Sequence, residues 1–320
     1  MMVFKRVLIT GIDGSTGNYL SNYISENHPE VEIYGIFRKN SFIDKKTSVE
    51  SYACDLRDSD CVKKVLDKID FDCVFHLASF AKMNEVFEKP LFVVENNFMG
   101  TVNLLEAIRL KKTENKPIFF LASTSKVYGD VPKSKIPMDE KLQLNPKDPY
   151  STSKVAQELL SKAYSENYGI PLVISRAFGY INPKREDLFS SQWAKQIARI
   201  EIKLEKKLKH GDLSPIRTFM DIRDVVETMW IIANRGQNGE VYNTGSENPL
   251  NLEKILEMMK KKAYCEIETE ENQSLTREVD TTGHIPNTKK FRELDINWKP
   301  KYSLEESLVD LMNCYRSQTK

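Results

Sequence analysis

Hydrophobic residues in the first half of the chain fall in short unbroken runs, with segments of helical period between them. Residues 7–10 read Val-Leu-Ile-Thr, 32–37 read Glu-Ile-Tyr-Gly-Ile-Phe, 51–54 read Ser-Tyr-Ala-Cys and 73–78 read Cys-Val-Phe-His-Leu-Ala. Short runs without polar alternation suit strands covered on both faces of a parallel sheet. Residues 18–26 and 58–69 read as helices, the second with Val62, Val65, Leu66 and Ile69 on one face. A longer helix over 93–111 carries Phe98, Val102, Leu105, Ala107 and Ile108. Further strands are expected at 118–123, 171–176 and 241–244, with a helix over 153–168 between the first two. Regular strand–helix alternation predicts an α/β protein built on a doubly wound parallel sheet. After residue 176 the pattern loosens. Helices are expected over 191–208, 225–233, 251–262 and 302–315, and residues 265–300 are polar and mixed. Residues 1–177, rejoined by 218–244, are expected to form a nucleotide-binding domain. Residues 178–217 and 245–320 are expected to form a smaller C-terminal α/β substrate lobe.

Glycines 11, 14 and 17 follow the first strand directly and lead into the first helix. Strand, glycine turn and helix are the phosphate-cradling unit of a Rossmann-type dinucleotide fold. Gly11 allows the tight turn, Gly14 the approach of a pyrophosphate to the helix N-terminus, and Gly17 close helix–strand packing. The spacing is one residue longer at the front than Gly-x-Gly-x-x-Gly. At the end of the second strand, a cofactor with a free ribose 2′-hydroxyl calls for an acidic residue. The chain has Arg38 and Lys39 there, which suits a 2′-phosphate and predicts NADP(H) rather than NAD. Ala78 closes the fourth strand with a small residue where the backbone must pass the cofactor. His76 reads as a packed strand residue.

Residues 149–154 read Pro-Tyr-Ser-Thr-Ser-Lys. Four helical residues make about one turn, so Tyr150 and Lys154 share a helix face. A free phenol titrates near 10, and a cation one turn away is expected to pull that value down, making an acid/base device. Thr124 lies in a hydroxyl cluster just past the fifth strand, where ligands of open α/β sheets bind. Its hydroxyl is placed to bond a carbonyl or alkoxide oxygen while Tyr150 moves the proton.

Bulk properties narrow the field. The 320 residues include 47 basic and 46 acidic side chains, a net charge of +1, which gives no electrostatic case for nucleic acid or a membrane surface. No apolar run is long enough to span a bilayer, and the strand starting near residue 6 leaves no room for a signal peptide. The five cysteines form no Cys-x-x-Cys pair and read as free thiols of a reducing cytoplasm. The four histidines are scattered, and no metal site is expected.

Taken together, these residues resemble the extended short-chain dehydrogenase/reductase family, in its nucleotide-sugar branch. The matching points are Thr10 with glycines 11, 14 and 17; Asp55-Leu56; His76-Leu77-Ala78; Asn96, Asn97, Gly100 and Thr101; Ser123, Thr124, Tyr128 and Gly129; Pro149, Tyr150 and Lys154; and Arg217, Phe219, Asp221 and Asp224. The segment 35–41 is similar to GDP-mannose 4,6-dehydratases, and 190–242 to GDP-4-keto-6-deoxy-mannose reductases. The resemblance implies that Tyr150 is the acid/base, that Lys154 lowers its pKa and holds the nicotinamide ribose, and that Thr124 bonds the oxygen on sugar carbon 4. It implies cofactor contacts from Gly11, Asp13, Gly14, Thr16, Gly17, Arg38, Asp55, Leu56, Leu77, Ala78 and Lys154. It implies substrate contacts from Lys82, Ser125, Asn182 and Arg217, the last on the nucleotide diphosphate, with Asn97 in support. It implies a homodimer through helices 93–111 and 153–168, and a GDP-sugar as partner.

Two departures stand out. Dehydratases carry a glutamate base two residues after the threonine, and here that position is Lys126. The family's usual Phe-Asn-His is Phe178-Gly179-Tyr180. The expected activity is therefore NADPH-dependent reduction of a nucleotide-linked 4-keto sugar. The alternatives are a 4,6-dehydratase with Lys126 in the glutamate's place, then an epimerase or 4-dehydrogenase, and last a catalytically silent NADP-binding regulator.

Overall fold

The computed structural model describes residues 4–38, 49–82, 85–275 and 283–319. Along the chain β1 (Arg6–Thr10), α1 (Ser15–Asn27), β2 (Glu32–Phe37), β3 (Glu50–Ala53), α2 (Ser59–Leu66) and β4 (Cys73–His76) come first. They are followed by α3 (Pro90–Val94), α4 (Gly100–Leu110), β5 (Ile118–Thr124), α5 (Pro149–Tyr168), β6 (Leu172–Ala177) and β7 (Tyr180–Ile181). Then come α6 (Phe189–Glu201), β8 (Lys207–His210), β9 (Ile216–Arg217), β10 (Met220–Asp221), α7 (Ile222–Arg235) and β11 (Glu240–Thr244). The chain closes with β12 (Leu250–Asn251), α8 (Leu252–Lys261), β13 (Glu268–Glu271), α9 (Lys289–Arg292) and α10 (Leu304–Gln318).

Seven strands form one sheet in the order β11-β6-β5-β4-β1-β2-β3, and every pairing in it is parallel. The apolar runs explain why the sheet is covered twice. Successive strand residues point to opposite faces. Val7, Ile9, Phe75, Phe120 and Val173 enter the core beneath α1 and α7. Their neighbours Leu8, Val74, Phe119, Leu121, Leu172 and Ile174 enter the core beneath α2, α4 and α5. A third core joins α6, α8 and α10 through Trp193, Ile197, Ile255, Met259, Leu311 and Met312.

Local signals set the helix ends. Asp148 caps α5 by accepting the Ser151 amide at 2.7 Å, Pro149 takes the first helical position, and Gly169 stops the helix at φ +66°. The helix expected over 93–111 is broken differently. Residues Glu95–Met99 form a π turn between α3 and α4, and this turn buries Asn97. The helix expected over 191–208 ends early: α6 stops at Glu201, Lys203 turns at φ +63°, and β8 pairs with β13 from the polar stretch. Charged residues in β8 and β13 hid these strands, because both lie at the surface, where burial leaves no apolar signature.

The cysteine reading needs one correction. Cys54 and Cys61 form a disulfide, with Cα atoms 5.9 Å apart, while Cys73, Cys265 and Cys314 are free. The turn after β3 folds back so that the first turn of α2 meets the strand end, a proximity that spacing alone did not show. Among the described residues, no helix is long and apolar enough to cross a membrane and no metal-binding cluster occurs.

The tightest packing constraint lies at the start of the chain. A Cβ on Gly17 would sit 2.2 Å from the Gly11 carbonyl oxygen and 2.8 Å from the Ile12 Cα. Gly17→Ala is expected to cost about 1–3 kcal/mol of stability, read as a lower urea midpoint with unchanged slope. A wild-type midpoint would show that the turn absorbs the methyl group.

Candidate active site

The site lies at the carboxyl ends of β1, β4 and β5. Gly11 has φ +69°, and a Cβ there would lie 2.9 Å from the Ala78 Cα. The Gly14 amide closes the turn on the Gly11 carbonyl at 2.9 Å. Gly14 begins α1 with no side-chain cap, so the first amides of the helix face an open cradle suited to a phosphate. A side chain at Gly11 would strike the Ala78 backbone and one at Gly17 the Gly11 carbonyl, so only glycines keep the turn this tight around the helix N-terminus, as a dinucleotide requires. Asp13 and Thr16 lie in the same turn, partly buried.

Beyond the end of β2 lie Arg38, Asp55, Leu56 and a residue the sequence did not single out, Arg57. Arg57 forks onto Asp55 with contacts of 2.6–3.2 Å, and its bond, outweighing burial, holds the Asp55 carboxyl below its usual range. Arg38 and Arg57 both rest on the Phe92 ring, at 5.8 and 5.3 Å. Lys39 lies outside the described residues. Asn103 donates to the Leu56 carbonyl at 2.8 Å and fixes the segment. Leu77 and Ala78 form the wall after β4.

Behind that wall runs a buried polar chain. Thr10 and His76 are register partners in adjacent strands. The Thr10 hydroxyl accepts the Ala78 amide and meets His76 Nδ1 at 2.8 Å. Thr101 meets His76 Nε2 at 2.8 Å and donates its single hydrogen to the Asn97 carbonyl. His76 therefore donates from Nε2 and accepts at Nδ1. Burial, with the charge of Lys154, lowers its pKa to about 3. His76 is a neutral brace, as its place in a strand suggested. Asn97 bonds Phe80 N–H, Phe80 C=O and the Ser153 hydroxyl, tying the π turn to α5.

The structure brings Thr124, Tyr150 and Lys154 together. Lys154, one helical turn past Tyr150, is 2 % exposed; its Nζ donates to the Ala122 carbonyl at 2.8 Å and lies 5.9 Å from the centre of the Tyr150 ring. Burial lowers the Lys154 pKa to about 7, opposed by Glu158. The expected lowering of the phenol is corrected. Burial pushes Tyr150 above its ordinary value, Tyr180 and Asp148 add to this, and Arg185 and the Thr124 hydroxyl oppose it. Desolvation outweighs the single cation that the sequence argument considered.

Other expected contacts are placed differently. Lys126 is half exposed and lies 4.0 Å from Asp148, the N-cap of the Tyr150 helix. Ser125 is buried, with His284 at 3.4 Å from its hydroxyl. Asn182 is fully buried against α1: it donates to the Ser15 carbonyl and accepts the Lys184 amide. It braces the loop, because the turn after β7 points it inward. Lys82 is exposed and pairs with Glu85 at 3.4 Å. Arg217 donates to its neighbour's carbonyl at the edge strand β9.

Two further groups, the part-buried Arg185 and the buried Glu158, escaped the sequence reading. Arg185 forks onto Asp187 at 2.7 Å and reaches the Ala81 carbonyl at 3.3 Å. Glu158 accepts from Ser123 at 2.5 Å and from Arg176 at 3.0 and 2.6 Å. Glu158 was visible in outline, one further turn along the helix face of Tyr150 and Lys154. Arg185 had no spacing signal.

A glycine cradle on a doubly wound sheet, with a tyrosine and lysine one turn apart at its rim, defines an oxidoreductase of the extended short-chain dehydrogenase/reductase class. Within it the chain belongs to the GDP-mannose 4,6-dehydratase family, whose model matches residues 8–311. It is similar to the GDP-6-deoxy-D-mannose reductase of Pseudomonas aeruginosa, 26% identical over 99% of both chains. It is also similar to the GDP-mannose 4,6-dehydratase of Yersinia enterocolitica, 28% identical over 82% of this chain and 73% of that one. Among solved structures, RMD from Pseudomonas aeruginosa complexed with NADPH superposes with a TM-score of 0.85 at 25% identity, covering 98% of this chain and 99% of that one.

The Lys154 shift fixes a pH dependence. The unfolded amine keeps a value near 10.5 and the folded one titrates at about 7. Between those values the unfolded chain binds more protons, so this group makes stability rise with pH across that window. Urea midpoints measured from pH 7 to about pH 10 are expected to lose that rise in Lys154→Met. An unchanged slope would mean that Lys154 stays charged in the fold.

Proposed function

We propose that this protein is an NADPH-dependent reductase of a nucleotide-linked 4-keto sugar, with a GDP-linked 6-deoxy hexose or heptose favoured. The observation that carries the reading is the pairing of Tyr150 and Thr124 with a cation, Lys126, where a dehydratase needs a carboxylate base. When bound, a reduced nicotinamide supplies hydride. Tyr150 holds its proton, which is the state in which a reduction begins, and its O–H is placed to protonate the oxygen developing on sugar carbon 4. Thr124 bonds that oxygen and the phenol. Lys154 orients the phenol and the nicotinamide ribose. Arg217 suits the diphosphate, a group that a guanidinium fork matches, with Lys82 at its margin. Arg38 suits the 2′-phosphate of NADP.

The 4,6-dehydratase is the second reading, favoured by the family model. Lys126 opposes it: an amine side chain, 4.0 Å from Asp148, stands where a dehydratase needs a carboxylate base for the proton on carbon 5. Residues 1–177 with 218–244 are assigned to cofactor binding, and 178–217 with 245–320 to the substrate lobe. Exposed Phe87, Leu91, Val94, Met99 and Leu159 lie on or beside the α3–α5 face and suit a second copy of the chain. The site of action is assigned to the cytoplasm.

Given GDP-mannose without reductant, the protein is expected to leave it unchanged, whereas the 4-keto-6-deoxy derivative is expected to drive NADPH consumption. Mass-spectrometric loss of one water from GDP-mannose would overturn the reading. Tyr150→Phe is expected to slow turnover by about 10²–10⁴-fold with the fold intact. Arg38→Ala is expected to weaken NADPH by about tenfold or more while sparing NADH. Equal losses for both would remove Arg38 from the 2′-phosphate.

A further inference from the structure

We propose that Cys54 and Cys61 form a reversible thiol–disulfide site, oxidised by a low-molecular-weight disulfide such as glutathione disulfide, whose state sets how tightly the chain holds NADPH. The proposal rests on the proposed function insofar as Asp55 and Leu56 meet that cofactor.

The two cysteines bracket the turn that follows β3. Cys54 comes directly after the strand, and its amide donates to the Phe37 carbonyl at the end of β2 at 2.9 Å. Cys61 sits in the first turn of α2, its Cα 5.9 Å from that of Cys54, a span that suits a disulfide. Asp55, Leu56 and Arg57 lie inside the ring so closed. Asp58 couples the two sides of that ring. Its carboxylate accepts the Cys61 amide at 3.0 Å, and its own amide donates to the Asp55 carbonyl at 2.9 Å. When the bond is broken, the sulfurs separate to van der Waals contact. The sheet holds Cys54, and Asn103 holds the Leu56 carbonyl, so the first turn of α2 takes up the movement. Asp58 passes it to Asp55 and to the Arg57 guanidinium forked onto Asp55.

A bond in this place does little for the fold. Large apolar cores already cover both faces of the sheet, and α2 packs into one of them through Val62, Val65 and Leu66. The ring spans a sequence separation of only 7, so closing it removes less freedom from the unfolded chain than a long-range cross-link would. The cytoplasm, to which the reaction is assigned, keeps thiols reduced, and a disulfide there is characteristically transient. Access fits exchange: Cys54 is 5 % exposed, whereas Cys61 is half-buried behind the exposed residues 57–60. The Cys61 thiolate attacks glutathione disulfide and releases one glutathione, leaving a mixed disulfide. The Cys54 thiolate then attacks the Cys61 sulfur and releases the second. The two protein thiols lose two electrons and two protons, and glutathione disulfide gains them as two thiols. The reverse exchange reopens the turn. The closed ring holds Asp55 and Leu56 in place before the cofactor arrives, so the oxidised form binds NADPH more tightly.

The test reads both sides of the coupling in the full chain. The protein is equilibrated in mixtures of glutathione and glutathione disulfide, its thiols are capped, and it is digested. Trypsin cuts after Arg57, between the two cysteines, so the oxidised state leaves two peptides joined and the reduced state yields them separate and capped. NADPH affinity, read by cofactor fluorescence in the same mixtures, is expected to be about three- to tenfold tighter in the oxidised form. By linkage, saturating NADPH is expected to move half-oxidation to more reducing mixtures, raising the exchange equilibrium constant by the same factor. Cys61→Ser is expected to keep the weaker affinity in every mixture, and Cys265→Ser, at an exposed free thiol, to switch as the wild type does. If Cys61→Ser does not fold, the two states of the wild type decide the matter without it. Equal NADPH affinities in the joined and separate states would overturn the proposal, as would a pair that never changes state across the mixtures. A redox-dependent affinity in a protein that reduces no keto sugar would uphold the site and refute the reductase reading alone. No NADPH binding in either state would overturn both.

Discussion

The arrangement depends on how α5 is pinned to the last three residues of β5. A helix lying over a parallel sheet can slide or roll by a fraction of a turn at little cost in apolar contact, since one aliphatic side chain fits a groove much as another does. Directional bonds remove that freedom. The Lys154 bond to the Ala122 carbonyl, the Ser123 bond to Glu158 and the Thr124 bond to Tyr150 each require one register and one rotation. Asn97 adds a fourth tie, from the π turn to Ser153. The turn has a structural purpose: it brings the Asn97 amide to the Phe80 backbone and to α5 at once, which a regular helix from Pro90 to Leu110 would not do.

The same burial that fixes these groups opposes their charge. Lys154 loses most of its preference for the ammonium form, His76 becomes neutral, and Tyr150 holds its proton more firmly than a free phenol. A site of this kind does not gain a reactive phenolate merely by having a lysine nearby. It begins as an acid, and its chemistry follows from whatever charge is then brought beside it. Cations at Arg176, Arg185 and Lys126 are each matched to a carboxylate, at Glu158, Asp187 and Asp148. The pocket thus stays near neutrality, in keeping with a chain whose whole net charge is +1.

Most of the N-terminal, sheet-forming half was legible because its signals are local. Glycines 11, 14 and 17 can serve little besides a tight turn between strand and helix, and an apolar run such as 7–10 has to be buried on both faces. The C-terminal part was less legible for a related reason. β8 and β13 are charged surface strands whose pairing is decided by tertiary contact, and the end of α6 is set by a single residue, Lys203, in a left-handed turn. Within the site, Tyr150 and Lys154 were found by helical spacing. Arg57, Arg176 and Arg185 were not, because each meets its partner through a turn or a neighbouring strand. The expected fall in the Tyr150 pKa failed because sequence spacing shows which charge is near but not how much water is removed.

Family membership and chemistry part company at one position. The GDP-mannose 4,6-dehydratase family model spans nearly the whole chain, yet a fold and a cofactor cradle serve oxidation and reduction equally. The two reactions share the tyrosine, the threonine and the lysine, so none of these discriminates between them. Elimination of water needs a group that accepts a proton from carbon, and the resemblance to dehydratases puts that group two residues after Thr124, in the turn that follows β5. Lys126 stands there, with Asp148 at 4.0 Å. Exchanging it for glutamate would set two carboxylates side by side, and their repulsion would raise the pKa of the new base. The Lys126–Asp148 pairing puts a cation where elimination would need a carboxylate, which favours delivering a proton to oxygen over removing one from carbon.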